Sequence, residues 1–113
     1  MTTIVIAQLV APVLLGTADA SLYSPVTPSA AQIGRAVFTN TTASATTITA
    51  GITPPGSALG ASTTMISARP IAPGESYVSP ELAGAVIPAG SQLHVYAGAA
   101  TAVTFTASGI IST

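Results

Sequence analysis

What most constrains this chain is how often proline and glycine interrupt its apolar runs. No stretch keeps a 3.6-residue apolar period long enough for a sizeable helix, and short segments rich in Val, Ile, Thr, Tyr and Phe recur instead. The segment 69–98 shows the pattern best. Ala72-Pro73-Gly74-Glu75 has Pro second and Gly third, as a type II turn requires, because the third residue needs φ > 0. Ile87-Pro88-Ala89-Gly90 suits a type I turn, and Pro80-Glu81-Leu82-Ala83-Gly84 suits a single helical turn with Pro first and Gly after its end. Strand, Pro-Gly turn, strand is the order of an antiparallel β domain.

Taken in order, the chain gives about eight short strands with turn signals roughly every 8–12 residues, which predicts an all-β, antiparallel two-sheet β-sandwich or jelly roll. Residues 2–10 read as a strand apolar on both faces, joined near Ala11-Pro12 to a second short strand at 13–15. A secretion signal would place Lys or Arg ahead of this run, and none is there; the run is also too short to span a bilayer as a helix. Residues 20–24 form a further strand, and Pro25-Val26-Thr27-Pro28 an extended connector. In 32–39, Ala36 and Phe38 are expected inside, with Ile33, Arg35 and Val37 outside. Segment 44–52 alternates Ile48, Ala50 and Ile52 against Thr47 and Thr49, as a half-buried strand does. The Pro- and Gly-rich stretch 53–60 is expected as an exposed loop. Strands follow at 62–68, 75–79, 92–97 and 101–108, with a tight hairpin at Gly98-Ala99-Ala100 and a bulge at Gly109.

Composition enters through charge. Only 4% of residues are charged, against about 25% in ordinary soluble proteins. They are Asp19, Arg35, Arg69, Glu75 and Glu81, and the net charge is −1. Two separated arginines cannot make the phosphate contacts that nucleic-acid binding needs. So little charge gives weak protection against association, which favours a subunit of an assembly over a free monomer. The two-faced strands point the same way, and residues 1–15 are expected to serve as a docking or swapped arm of a single domain, 1–113. The expected contact residues are Ile4, Val5, Ile6, Leu9, Ile33, Arg35 and Val37.

Chemistry is hard to assemble from what remains. Cysteine is absent, so thiolate metal sites and disulfides are excluded. His94, the sole histidine, is expected on an outward strand face; catalysis would need a carboxylate and a pocket beside it. Glu75 and Glu81 lack the flanking aromatics of a sugar-cleaving pair and are assigned as partners of Arg69, or of Arg35 on a neighbour. A stacking platform would require Tyr23, Tyr77 and Tyr96 to cluster. Short strands without aromatic girdles argue against a membrane barrel. The sequon Asn40-Thr41-Thr42 reads as part of a turn, matching an acceptor by chance. The expectation is a non-enzymatic protein with no cofactor and no metal.

The runs Arg35-Ala36-Val37-Phe38-Thr39-Asn40-Thr41-Thr42, Ala72-Pro73-Gly74-Glu75-Ser76-Tyr77, Pro80-Glu81-Leu82, Ile87-Pro88-Ala89-Gly90 and Ala107-Ser108-Gly109-Ile110 resemble, in this order, small virion proteins of tailed bacteriophages. The resemblance covers residue 22 to the C-terminus and consists of turn chemistry. It implies a β-sandwich accessory protein of the particle, such as a capsid decoration (cement) protein on the particle surface or part of a head or tail fibre; the alternative readings are a receptor- or glycan-binding module at a fibre tip and a head-to-tail connector or tail component. Its implied partners are other copies of itself, in a homo-oligomer such as a trimer, and the major capsid protein, with no nucleic acid and no membrane.

Overall fold

A computed structural model describes residues 3–26 and 28–112; Thr2 of the first expected strand and Thr27 of the connector lie outside them. Among the described residues there are nine strands: β1 Ile4–Leu14, β2 Ser21–Tyr23, β3 Ala30–Asn40, β4 Thr46–Thr53, β5 Thr64–Ile71, β6 Ser76–Val78, β7 Val86–Ile87, β8 Gln92–Ala97 and β9 Val103–Ser112. They form two antiparallel sheets. Sheet A has the order β1-β9-β3-β6, with β7 also paired to β3, and sheet B has the order β2-β8-β4-β5. If β6 and β7 are taken as one interrupted strand, two four-stranded sheets face each other in jelly-roll order, as the all-β expectation required.

The core lies between the sheets. Phe38 and Phe105 meet at 4.7 Å between ring centres, surrounded by Ile33, Ile48, Ile71, Leu93, Val95 and Val103, all essentially water-free. Expected inward positions on β8 and β9 (Leu93, Val95, Ala97; Val103, Phe105, Ala107) are all buried. Gly98-Ala99-Ala100 is not a hairpin. β8 belongs to sheet B and β9 to sheet A, so this connection crosses between layers.

β1 is one continuous 11-residue strand, not two strands broken at Pro12. An edge strand tolerates proline where no ladder bond is required. Of the 1–15 segment expected as an arm, Ile4–Leu14 is built into sheet A, with Leu9, Val10 and the following Leu15 in the core. Register slips beside Ser108 on both of its neighbours, between Gln8 and Val10 on β1 and between Ile33 and Arg35 on β3. Each slip admits one extra residue, Leu9 and Gly34, and bulges of this kind bend a sheet and increase its twist. The bulge expected at Gly109 is therefore carried by Gly34. Gly109 is needed for another reason: a Cβ there would collide with the Gln32 carbonyl oxygen.

Asn40 ties the layers together. Fully buried, its side chain donates to the carbonyl oxygens of Ser44 (2.8 Å) and Ile71 (3.1 Å) and accepts from the Thr42 amide (3.0 Å) and hydroxyl (2.8 Å). Its backbone closes on the 72–75 turn, donating to the Glu75 carbonyl and accepting from the Gly74 amide. That turn has the expected form: the Glu75 amide reaches the Ala72 carbonyl at 3.0 Å, and Gly74 has φ +72°. The second Pro-Gly turn sits one residue later than expected. Ser91 closes onto Pro88, and Gly90 at φ +80° gives it type II character. The segment after β6 makes one turn, with the Ser79 hydroxyl accepting from the Leu82 amide and Gly84 ending it at φ +83°.

Candidate interaction surface

The two sheets treat their outer faces differently. On sheet B the loop 54–63 folds back over β4. Leu59 and the Thr63 carbonyl lie so close to Gly51 that a Cβ there would strike both. Asp19 pins the arrangement, accepting from the Leu59 amide at 3.0 Å through one carboxylate oxygen while the other meets His94 Nδ1 at 2.7 Å. His94 Nε2 faces Gln92 Oε1 at 3.0 Å. His94 is consequently buried, which corrects the expectation of an exposed imidazole. Alternation did place it on the outer face; the loop then covers that face. A carboxylate does lie beside the imidazole, yet both ring nitrogens and both Asp19 oxygens are engaged in holding the loop and β8 together. This is the geometry of a clamp.

Among the described residues, sheet A has no such cover. Direct pairing sets Ile6, Ile110, Gln32 and Val86 in one row across four strands on its outer face, with Ile4, Ser112 and Ala30 in the next. Ile6 is 88% exposed, Ile4 65% and Val86 57%. Shallow depressions of about 300 Å³ and 130 Å³ lie along these rows, floored by Ile33, Gly34, Gly109 and Ile110 and by Ala30, Ala31 and Val86. Three glycines, Gly34, Gly84 and Gly109, line the larger one. Val5 belongs to the inner face, in a row with Ile111, Ala31 and Ile87, yet is 49% exposed. Its sheet overhangs there, because β1 has 11 residues and β2, the edge of the facing sheet, only three. The only charged side chain on any strand of sheet A is Arg35, exposed on the outer face opposite Ser108.

Of the seven residues expected to form this surface, the structure gathers Ile4, Val5 and Ile6 at one end and leaves Arg35 exposed at mid-sheet. Val37 is half-buried, paired with the exposed Val78 at the far end. Ile33 and Leu9 are corrections: both are core residues. The Gly34 bulge shifts the parity of β3, so Ile33 joins Ala36 and Phe38 inside, and Leu9 lies where sheet B covers the inner face. Sequence reading missed Val86 and Val78. Val86 sits in a two-residue strand between Gly84 and Pro88, too short to show alternation.

The other candidate groups do not form a site. Tyr77 lies on sheet A, while Tyr23 and Tyr96 lie on sheet B, so no three-tyrosine platform exists. At the opposite margin, Arg69 from β5 lies 4.0 Å over the Tyr77 ring of β6, and the Tyr77 hydroxyl donates to Glu81 at 2.5 Å. Burial, then the bond to Glu81, pushes the Tyr77 hydroxyl up from its ordinary value. The same bond is the main cause holding Glu81 below the usual carboxylate range. Arg69 thus closes the sandwich edge by stacking on an aromatic ring, and its charge, a lesser cause than the Tyr77 bond, also helps hold Glu81 down, in keeping with the expected partnership. Glu75 instead accepts from the Ala72 amide within its own turn. The sequon asparagine is buried and fully bonded, so its amide is not available to a glycosyl donor.

No protein-family model matches the chain, and no curated protein matches it. Solved structures do. The chain superimposes on the infectious bursal disease virus VP2 subviral particle with a TM-score of 0.55 at 16% identity, over 98% of this chain and 32% of that one. For the infectious bursal disease virus Gx strain the values are 0.56, 15%, 99% and 31%. The chain spans about a third of the length of these structures, and at such identity the likeness is one of fold.

Proposed function

We propose that this chain is a structural subunit of a virus particle that works as a homo-oligomer, with the bare end of sheet A as its contact surface. The observation that carries the reading is that uncovered end. Ile4, Ile6 and Val86 face water on a sheet carrying one charge, whereas exposed apolar groups gathered on one face of a soluble protein commonly mark a contact with another macromolecule. The shared fold with chains of an infectious bursal disease virus particle and the turn-motif resemblance to tailed-phage virion proteins support the same reading. On that resemblance the finer assignment is a non-enzymatic decoration protein bound to the major capsid protein on a phage head. Such a subunit would stabilise the shell by binding the assembled lattice and not the dispersed one.

Two measurements test this. The purified full chain sediments as an oligomer at micromolar concentration; a stable monomer there overturns the assembly reading. Antibodies against the chain label intact particles of the virus that encodes it, regularly over the head. Labelling of fibres or the neck replaces decoration with a fibre or connector role, and no labelling of any particle overturns the virion assignment.

A further inference from the structure

The sandwich has four lateral edges, and three are defended. β5 carries Arg69 and Pro70 next to Ala68, which sits at φ +46° where the register slips. Charge, proline and irregularity are the three devices that stop an edge from recruiting a further strand. β2 is only three residues long, with a slip of its own. The fourth strand of sheet A is split into β6 and β7, of three and two residues, with the Ser79-to-Gly84 turn between them. The remaining edge is β1. Its second half is broken by register slips and Pro12, but Ile4–Gln8 pairs with 108–112 without interruption, carries no charge, and contains Ile4, Val5 and Ile6.

We propose that two copies of this chain pair antiparallel through the free edge of β1 at Ile4–Gln8, joining their A sheets into one continuous sheet. This rests on the homo-oligomer reading and adds to it a contact at the edge that adjoins the bare face. A strand edge offers a row of backbone donors and acceptors, which only another extended strand can satisfy in full. A second copy is the occupant that the residues favour. A two-fold axis at Ile6 sets Ile6 against Ile6, Val5 against Ala7 and Ile4 against Gln8, so apolar meets apolar at the centre and no charge meets its like. A charged foreign segment would find no counter-charge on β1. Pairing would also set each overhanging Val5 against Ala7 of the other copy, with the two Val5 side chains diagonal across the seam, giving the half-exposed end of the inner face a neighbour.

The absence of cysteine makes the test clean, since each introduced thiol is the only one in its chain. Directly opposed residues of an antiparallel pair stand about 4.5–5.5 Å apart, within the span of a disulfide. Single variants Ile4→Cys, Val5→Cys, Ile6→Cys, Ala7→Cys and Gln8→Cys of the full chain are oxidised under dilute conditions, with Met65→Cys, exposed on the defended edge strand β5 of sheet B, as the reference. Ile6→Cys is expected to form a disulfide dimer about tenfold faster than Met65→Cys, because pairing raises the effective thiol concentration. Mixing Ile4→Cys with Gln8→Cys is expected to give the mixed dimer faster than either alone. A fastest position elsewhere within 4–8 moves the axis and supports the pairing. If no position in 4–8 outruns Met65→Cys, the pairing is overturned. Sedimentation of the untreated chain then separates the claims: an oligomer leaves the assembly reading standing, and a monomer removes it too.

Discussion

The outer faces of the two sheets differ in their residues and, against expectation, in which of them is covered. Sheet B's outer face carries His94, Gln92 and Thr49, and the chain folds its own 54–63 loop over part of it, held by Leu59 above Gly51 and by Asp19 between His94 and the loop backbone. Sheet A's outer face carries Ile4, Ile6 and Val86, and nothing in the described residues covers them. The polar face is closed by its own chain, while the more apolar one stays open. For a molecule that stayed alone, the reverse would bury more apolar surface, and each buried CH₂ contributes about 0.8 kcal/mol. The contrast makes sense if the second cover comes from outside the chain.

The largest expected effect breaks the joint that both faces depend on. Asn40→Ala leaves the Ile71 and Ser44 carbonyls without their side-chain donor and is expected to cost on the order of 3 kcal/mol in chemical denaturation. A loss below about 0.5 kcal/mol would show that the sheets are held together elsewhere. Next, Gly51→Ala lifts the loop from sheet B, with an expected loss of about 2 kcal/mol and faster amide exchange across β4 and β8. Unchanged exchange would mean that the loop is not a true cover, which dissolves the contrast.

Tyr77→Phe is expected to cost about 1 kcal/mol, since it removes one hydrogen bond but keeps the ring under Arg69. Its pH dependence has a definite sign. Glu81 lies below its ordinary 4.5 in the folded chain, so its contribution is present above that value and fades as pH falls through the folded one. Tyr77, raised above 10.0, contributes fully below that value and loses its share as pH rises through its folded one. In Tyr77→Phe both limbs should flatten relative to the parent in stability measured from pH 3 to 11. The smallest effect on folding belongs to Ile6→Lys, within about 0.5 kcal/mol because the side chain already faces water. Its self-association, read by sedimentation, should nonetheless weaken sharply, since a two-fold contact sets the new charges against each other. An unaffected oligomer would move the contact away from β1.

Much of the fold was legible because turn chemistry is local. The Ala72-Pro73-Gly74-Glu75 turn, the alternation of Val103, Phe105 and Ala107, and the Ser79-to-Gly84 turn depend on residues adjacent in sequence. The proposed contact surface was half legible. Ile4, Val5 and Ile6 declared themselves by being apolar on both faces of one strand. Ile33 did not, because its side is set by an extra residue at Gly34 whose effect shows only against β9. His94 was given the correct face and the wrong burial, because the cover comes from a loop more than thirty positions away.

By itself, the sequence determined that this chain is an antiparallel β domain with almost no charge and a greasy first strand, since strand period, turn residues and net charge are properties of neighbouring residues. Only the tertiary structure decided which sheet closes its own face, which edge stays open, and that Asn40 is a tie between layers and not an attachment point. Those outcomes depend on register and on which distant segment lands on which face. One inserted residue in a strand is enough to reverse them.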